Sequence, residues 1–142
     1  MTPPLVGPAV VLVLAALSLL HVFWGFGGRI GWLAVVPEVD RKPLFVPTQA
    51  QSFAVAAGLA LAALTVAGAA GMISLPVPKG FLRGTTYVIA AVFLLRAIGE
   101  FRHVGFFKRN RGTRFARLDT FLFSPLCMAL AAGAWLVAKI AV

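Results

Sequence analysis

Four long apolar runs separated by short polar stretches dominate the chain, at about residues 5–26, 49–75, 85–107 and 118–142. Each reaches the roughly 20 predominantly apolar residues that a helix needs to cross a bilayer. The pattern predicts an all-α membrane protein, a four-transmembrane-helix bundle in a single domain over residues 1–142. The breaks carry turn chemistry. Gly25, Gly27, Gly28 and Gly31 end the first run, and Pro76, Pro78 and Gly80 shape the second connection. Pro43 and Pro47 precede the second run, where Thr48 and Gln51 have the spacing of a capping box. Asn110 and Gly112 interrupt the third connection. Asp119 is placed to cap the fourth helix or to sit in its first turn. Pro125 removes the hydrogen bond to the Phe121 carbonyl and is expected to kink that helix.

Composition agrees with the pattern. The chain is 61% hydrophobic and 12% charged, against about 25% charged in soluble domains. The single cysteine, Cys127, lies in an apolar run, so no intrachain disulfide forms and inert packing is its simplest role. The start Met1-Thr2-Pro3-Pro4 lacks the basic region of a signal peptide, so the first run reads as a retained span.

The formal net charge is +9. Its distribution fits topology better than nucleic-acid binding, which is not expected. The first connection holds Arg29, Arg41 and Lys42, and the third holds Arg102, Lys108, Arg109, Arg111, Arg114 and Arg117. The other side has Lys79, Arg83 and Lys139. Nine against three puts the first and third loops in the cytoplasm and both termini on the non-cytoplasmic side. The basic segment 102–117, with its interspersed phenylalanines, suits membrane lipids with anionic headgroups.

Intramembrane ionisable groups are the main functional signal. If the third helix runs to residue 107, Arg96, Glu100 and His103 share one face at i, i+4 and i+7. Arg96 then lies about eleven residues into its helix, near mid-membrane, where it either pairs structurally with Glu100 or serves a site. Arg102 points away as a headgroup anchor. Every span places polar residues toward the same side: Ser18, His21 and Trp24; Thr48, Gln51 and Ser52; Arg96, Glu100 and His103; Asp119, Thr120 and Ser124. These predict a polar pocket near the cytoplasmic face, with the first loop (Trp32, Pro37, Glu38, Asp40) available to cover it. For His21 the alternatives are a buried hydrogen-bonded ring, a proton-transfer or ligand-binding group, or a metal ligand. Trp24 fits an interfacial anchor. Asp119 is a helix cap or a partner of Arg96 or Arg102. Small residues recur at Ala54, Gly58 and Ala62, at Ala63, Ala67 and Gly71, and at Ala129 and Gly133. They let helices approach closely, within one chain or between two copies.

Several motifs carry a resemblance. His21 with Trp24 in the first span, the segment from Arg96 through Gly99, Glu100 and Gly105 to Lys108, and Phe115, Asp119, Ser124 and Cys127 around the fourth resemble a family of small bacterial four-span proteins of unknown function. The resemblance implies a four-helix transmembrane fold in a bacterial cytoplasmic (inner) membrane, and no activity.

Several functions compete. The leading one is a binding module, not an enzyme, for a small amphiphile or lipid headgroup. Its ligand-binding candidates are Arg96, Glu100, His103, His21, Trp24 and Gln51. The second is a membrane enzyme whose acid–base candidates are His21, Glu100 and Asp119. The third is haem or metal binding through His21 and His103, weakly supported by spacing. The fourth is a structural subunit docking on a membrane partner or forming a homodimer. No cofactor is expected.

Overall fold

The computed structural model describes residues 4–141. Met1 to Pro3 and Val142 lie outside the described residues, and with them most of the amino-terminal motif and the last residue of the fourth expected span. Four helices are long and apolar enough to cross a membrane: α1 (Val6–Gly25), α2 (Gln49–Ala69), α3 (Lys79–Ile98) and α4 (Arg114–Ile140). Twenty residues at 1.5 Å each span about 30 Å, the thickness of a bilayer's hydrocarbon core. The chain is a multi-pass membrane protein with an all-α fold. Its only paired strands among the described residues are Glu38–Val39 and Lys42–Pro43 in the first loop. Asp40 and Arg41 turn between them with positive φ, as a two-residue hairpin turn requires.

Helix ends follow local chemistry. Thr48 caps α2 in a complete capping box: its hydroxyl accepts from Gln51 N–H, and the Gln51 side chain accepts from Thr48 N–H. The far end of α2 closes with two bonds, Met72 N–H to Ala67 O and Gly71 N–H to Gly68 O, so the helix stops short of the expected residue 75. Pro78 opens α3 earlier than hydropathy indicates. Thr113, not Asp119, caps α4, its hydroxyl accepting from Ala116 N–H. Asp119–Phe123 forms a π-turn, with Ser124 N–H donating to the Asp119 carbonyl. Pro125 follows directly. Its missing N–H and its ring disfavour regular α geometry in the preceding turn, and the helix accommodates them by widening.

The helices form two tight hairpins, α1 with α2 and α3 with α4, joined by α2–α3 and α1–α4 contacts. Val10, Leu14, Ala63, Val66, Leu130 and Val137 make the core. Small residues permit the close crossings. A methyl group at Gly133 would lie 2.5 Å from Val10 Cγ2, and one at Gly7 would lie 2.9 Å from the Ala70 methyl. Ala63 and Ala67 are buried, whereas Ala54 and Gly58 are exposed. Ser18 Oγ donates to the Ala56 carbonyl at 2.7 Å, tying α1 to α2. The first loop folds back to touch the start of α4 through its Trp32–Ala34 turn.

Candidate functional site

The third helix ends at Ile98, and this rearranges the expected charged face. Gly99 has φ 84° and Gly105 φ 91°. The chain loops back so that these two backbones touch: a Cβ on Gly99 would collide with the Val104 carbonyl, and one on Gly105 with the Ile98 carbonyl. Phe106 N–H then donates to the Ala97 carbonyl at 2.8 Å, closing the loop on the end of α3. A side chain at either position fails twice, through positive φ and through overlap with backbone. The glycines therefore terminate the helix where hydropathy alone carries it on to residue 107.

Arg96, Glu100 and His103 consequently do not form one helical stripe. Arg96 sits two residues from the end of α3, about 3 Å along the axis, rather than near mid-membrane. Its charge there complements the helix dipole. Glu100 and His103 lie on the loop and bind each other. Glu100 Oε1 accepts from His103 N–H and, at 3.1 Å, from His103 Nδ1–H. Among the described residues no hydrogen bond or ion pair joins either to Arg96. Arg102 is exposed on the same loop, its carbonyl accepting from Asn110 N–H.

Arg96 pairs instead with Asp119. Nη2 donates to Oδ1 at 2.9 Å. The second carboxylate oxygen accepts from Gly105 N–H at 2.7 Å and from Lys108 Nζ at 3.0 Å. Lys108 also donates to the Gly105 carbonyl at 2.9 Å and to Thr120 Oγ1 at 2.6 Å. Asp119 is fully buried, and Lys108 is 2% exposed. The π-turn places Asp119 and Thr120 where both meet Lys108. One carboxylate thus staples the end of α3, the third loop and the start of α4.

The charges do not balance. Two cations share one anion, leaving one positive charge over. Arg96 Nη1 is buried without a partner, and so is the hydroxyl of Ser124, which is fully buried itself. Buried polar groups without partners are rare in native folds and call for a ligand, ion or water.

The remaining candidates have local partners. His21 Nδ1–H donates to the Leu17 carbonyl at 2.8 Å, and its ring meets Trp24 edge-on with centroids 5.0 Å apart. Trp24 Nε1 donates to the Ile30 carbonyl at 2.9 Å, folding the first loop back. Gln51 is engaged in its capping box. No hydrogen bond joins His21, Glu100 and Asp119 to one another among the described residues. Among the described residues, no three His, Cys, Asp or Glu side chains converge as a metal site would require.

Lys108 is the residue that sequence reasoning misplaced. Counted among the basic loop residues that face headgroups, it is instead buried against Asp119. Its position between Gly105 and the start of α4, two residues before the Asn110–Gly112 break, was the available signal. Two cavities lie outside this layer. One, of about 320 Å³, is at the end of the bundle bearing the termini, lined in part by Gly7, Gly71, Lys79 and Ala141. The other is an apolar groove of about 480 Å³ between α3 and α4.

A family model described as "Protein of unknown function (DUF3995)" matches residues 14–134. The chain belongs to the DUF3995 family. The match spans the end of α3, the third loop and the π-turn, so the whole Arg96–Lys108–Asp119 cluster lies inside the family region of this DUF3995 protein. No curated protein and no solved structure matches the chain.

Proposed function

We propose that this DUF3995 protein is a membrane binding protein that holds the anionic headgroup of a small amphiphile at Arg96. The observation that carries this reading is the buried, unpartnered Nη1 of Arg96 within a cluster of two cations and one carboxylate. An anionic oxygen at Nη1 completes the guanidinium's hydrogen bonding and neutralises the surplus charge. Ser124, five residues beyond Asp119 in α4, is the other buried side chain left without a partner. Charge-assisted hydrogen bonds such as that at Nη1 are roughly twice as strong as neutral ones. The apolar helix surfaces beyond this layer suit a hydrocarbon tail.

Asp119 is a positioning group in this reading, because both its carboxylate oxygens are engaged, by Arg96, Gly105 N–H and Lys108. Glu100 and His103, paired on the loop above, are candidates for contacts with the headgroup's outer part. Nine basic residues lie in the first and third loops or at the start of α4, against three at the other end of the bundle, which supports a site facing the cytoplasm in a cytoplasmic membrane.

Calorimetric titration with dodecyl phosphate, against dodecyl maltoside as the neutral probe of equal chain length, tests the reading. Wild type should bind the phosphate in preference. Arg96→Ala should lose about ten- to a hundredfold in affinity, the value of one charge-assisted contact, while its helical signal persists. Equal binding of dodecyl phosphate by wild type and Arg96→Ala removes the proposal.

A further inference from the structure

All four acidic residues of the chain, Glu38, Asp40, Glu100 and Asp119, lie at the end of the bundle that carries the first and third loops. Lys79, Arg83 and Lys139 sit at the other end, so no acidic side chain of this molecule can neutralise them. Two of the three are held in specific places. The Arg83 guanidinium lies 6.0 Å from the Tyr87 ring centroid, and Lys139 Nζ lies 5.1 Å from that of Trp135. Tyr87 and Trp135 in turn line one end of the groove between α3 and α4. Ala90, Ala91, Ala131 and Ala132 line its middle, where short side chains leave the space open.

We propose that this groove seats an acyl chain of one anionic phospholipid whose phosphate is bound by Arg83 and Lys139. The dimensions agree. Tyr87 to Leu94 covers about 10 Å along α3, roughly a third of the hydrocarbon core. Arg83 lies one helical turn beyond Tyr87, and Lys139 one turn beyond Trp135, at the level where a chain leaves the core and its headgroup begins. A cation over an aromatic ring is pre-oriented, so less side-chain freedom is lost when the phosphate arrives. A second copy of the chain is a poorer occupant. In one membrane two copies share an orientation, so a symmetric dimer across this groove would bring four cations to the same depth with no acidic side chain among them.

The headgroup position at Arg83 and Lys139 is at the end of the bundle opposite the Arg96 cluster, while the groove's inner end, at Leu94 and Met128, reaches the residues beside that cluster. The double Gln substitution removes the first position and leaves Arg96 in place, so the two readings fail separately. The chain has three tryptophans. Replacing Trp24 and Trp32 by Phe leaves Trp135 as the reporter. The probes are vesicles of mixed phosphatidylglycerol and phosphatidylcholine in which one or the other carries brominated acyl chains. Brominated phosphatidylglycerol should quench Trp135 as though enriched on the order of tenfold beside it, from about 1 kcal/mol per basic side chain near the surface, reduced by screening. Arg83→Gln with Lys139→Gln should bring the two lipids to equal quenching. Ala132→Phe, at an exposed groove position, should reduce the enrichment by filling the space. Native mass spectrometry of the unmodified chain released from nanodiscs of the same mixture provides a second readout: one retained phosphatidylglycerol, lost in the double Gln variant. Equal quenching by both lipids in the wild-type groove overturns the proposal. So does retention of phosphatidylglycerol that survives the double substitution, or a dimer that Ala132→Phe converts to monomer.

Discussion

Replacing Asp119 by Asn tests the staple that organises the loop end of the bundle. The substitution keeps the side chain's volume and removes its charge. In the wild type the carboxylate accepts from Arg96 Nη2, Gly105 N–H and Lys108 Nζ. Asn offers one oxygen for these three donors and turns its own amide N–H groups toward the rest. Lys108, at 2% exposure, then becomes a buried cation with no anion. Breaking a buried ion pair from one side costs about 3–5 kcal/mol, because the surviving charge is left uncompensated. Lys108→Met removes the same pair from the other side with a different outcome. Asp119 keeps Arg96 and the Gly105 amide, its charge stays matched one to one, and an apolar side chain of similar length fills the space. That variant should lose only about 0–2 kcal/mol, because it leaves no buried charge uncompensated. The double variant should cost less than the sum of the two, with a coupling of about 1–3 kcal/mol. Equilibrium unfolding in mixed micelles of dodecyl maltoside and dodecyl sulfate, followed by circular dichroism, measures all three. If Lys108→Met is as damaging as Asp119→Asn, or Asp119→Asn lies within about 0.5 kcal/mol of wild type, the charge argument is refuted.

Other perturbations address the remaining parts. Gly105→Ala should destabilise by more than about 2 kcal/mol in the same unfolding measurement, since it combines positive-φ strain with overlap on the Ile98 carbonyl; a neutral result would show that the loop does not close on α3 as described. Ser18→Ala should cost about 1 kcal/mol, the value of one interhelical hydrogen bond to the Ala56 carbonyl, and an unchanged unfolding midpoint would contradict it. For orientation, a cysteine at Arg109 in a Cys127→Ala background should react with a membrane-impermeant thiol reagent from the cytoplasmic face alone, and one at Ser74 from the opposite face alone. The reverse pattern would invert the topology inferred from the basic residues.

The spans were legible because length and hydropathy are sufficient to identify them, and the Thr48–Gln51 cap was legible because its chemistry is local. The helix ends were less so. Gly99 ends α3 with positive φ and an extended ψ rather than with the usual left-handed cap, and it stands amid residues that remain apolar and helix-compatible, so hydropathy runs past it. Reading on to residue 107 created a three-residue charged face that the fold divides between a helix end and a loop. The pairing of Arg96 with Asp119 was one of the alternatives open to sequence. The burial of Lys108 was not, because a lysine in a basic loop reads as solvated until the loop's path is known. Pro125 announced a disturbance in α4, and the structure shows its form, a π-turn that brings Asp119 and Thr120 to Lys108.

The most direct test of the proposed binding role is an experimental structure of the protein purified with native lipid, at a resolution that shows individual headgroups. Density for an anionic headgroup within hydrogen-bond distance of Arg96 Nη1 is the expected result. A lone water at that position, or a protein carbonyl occupying Nη1, would contradict it.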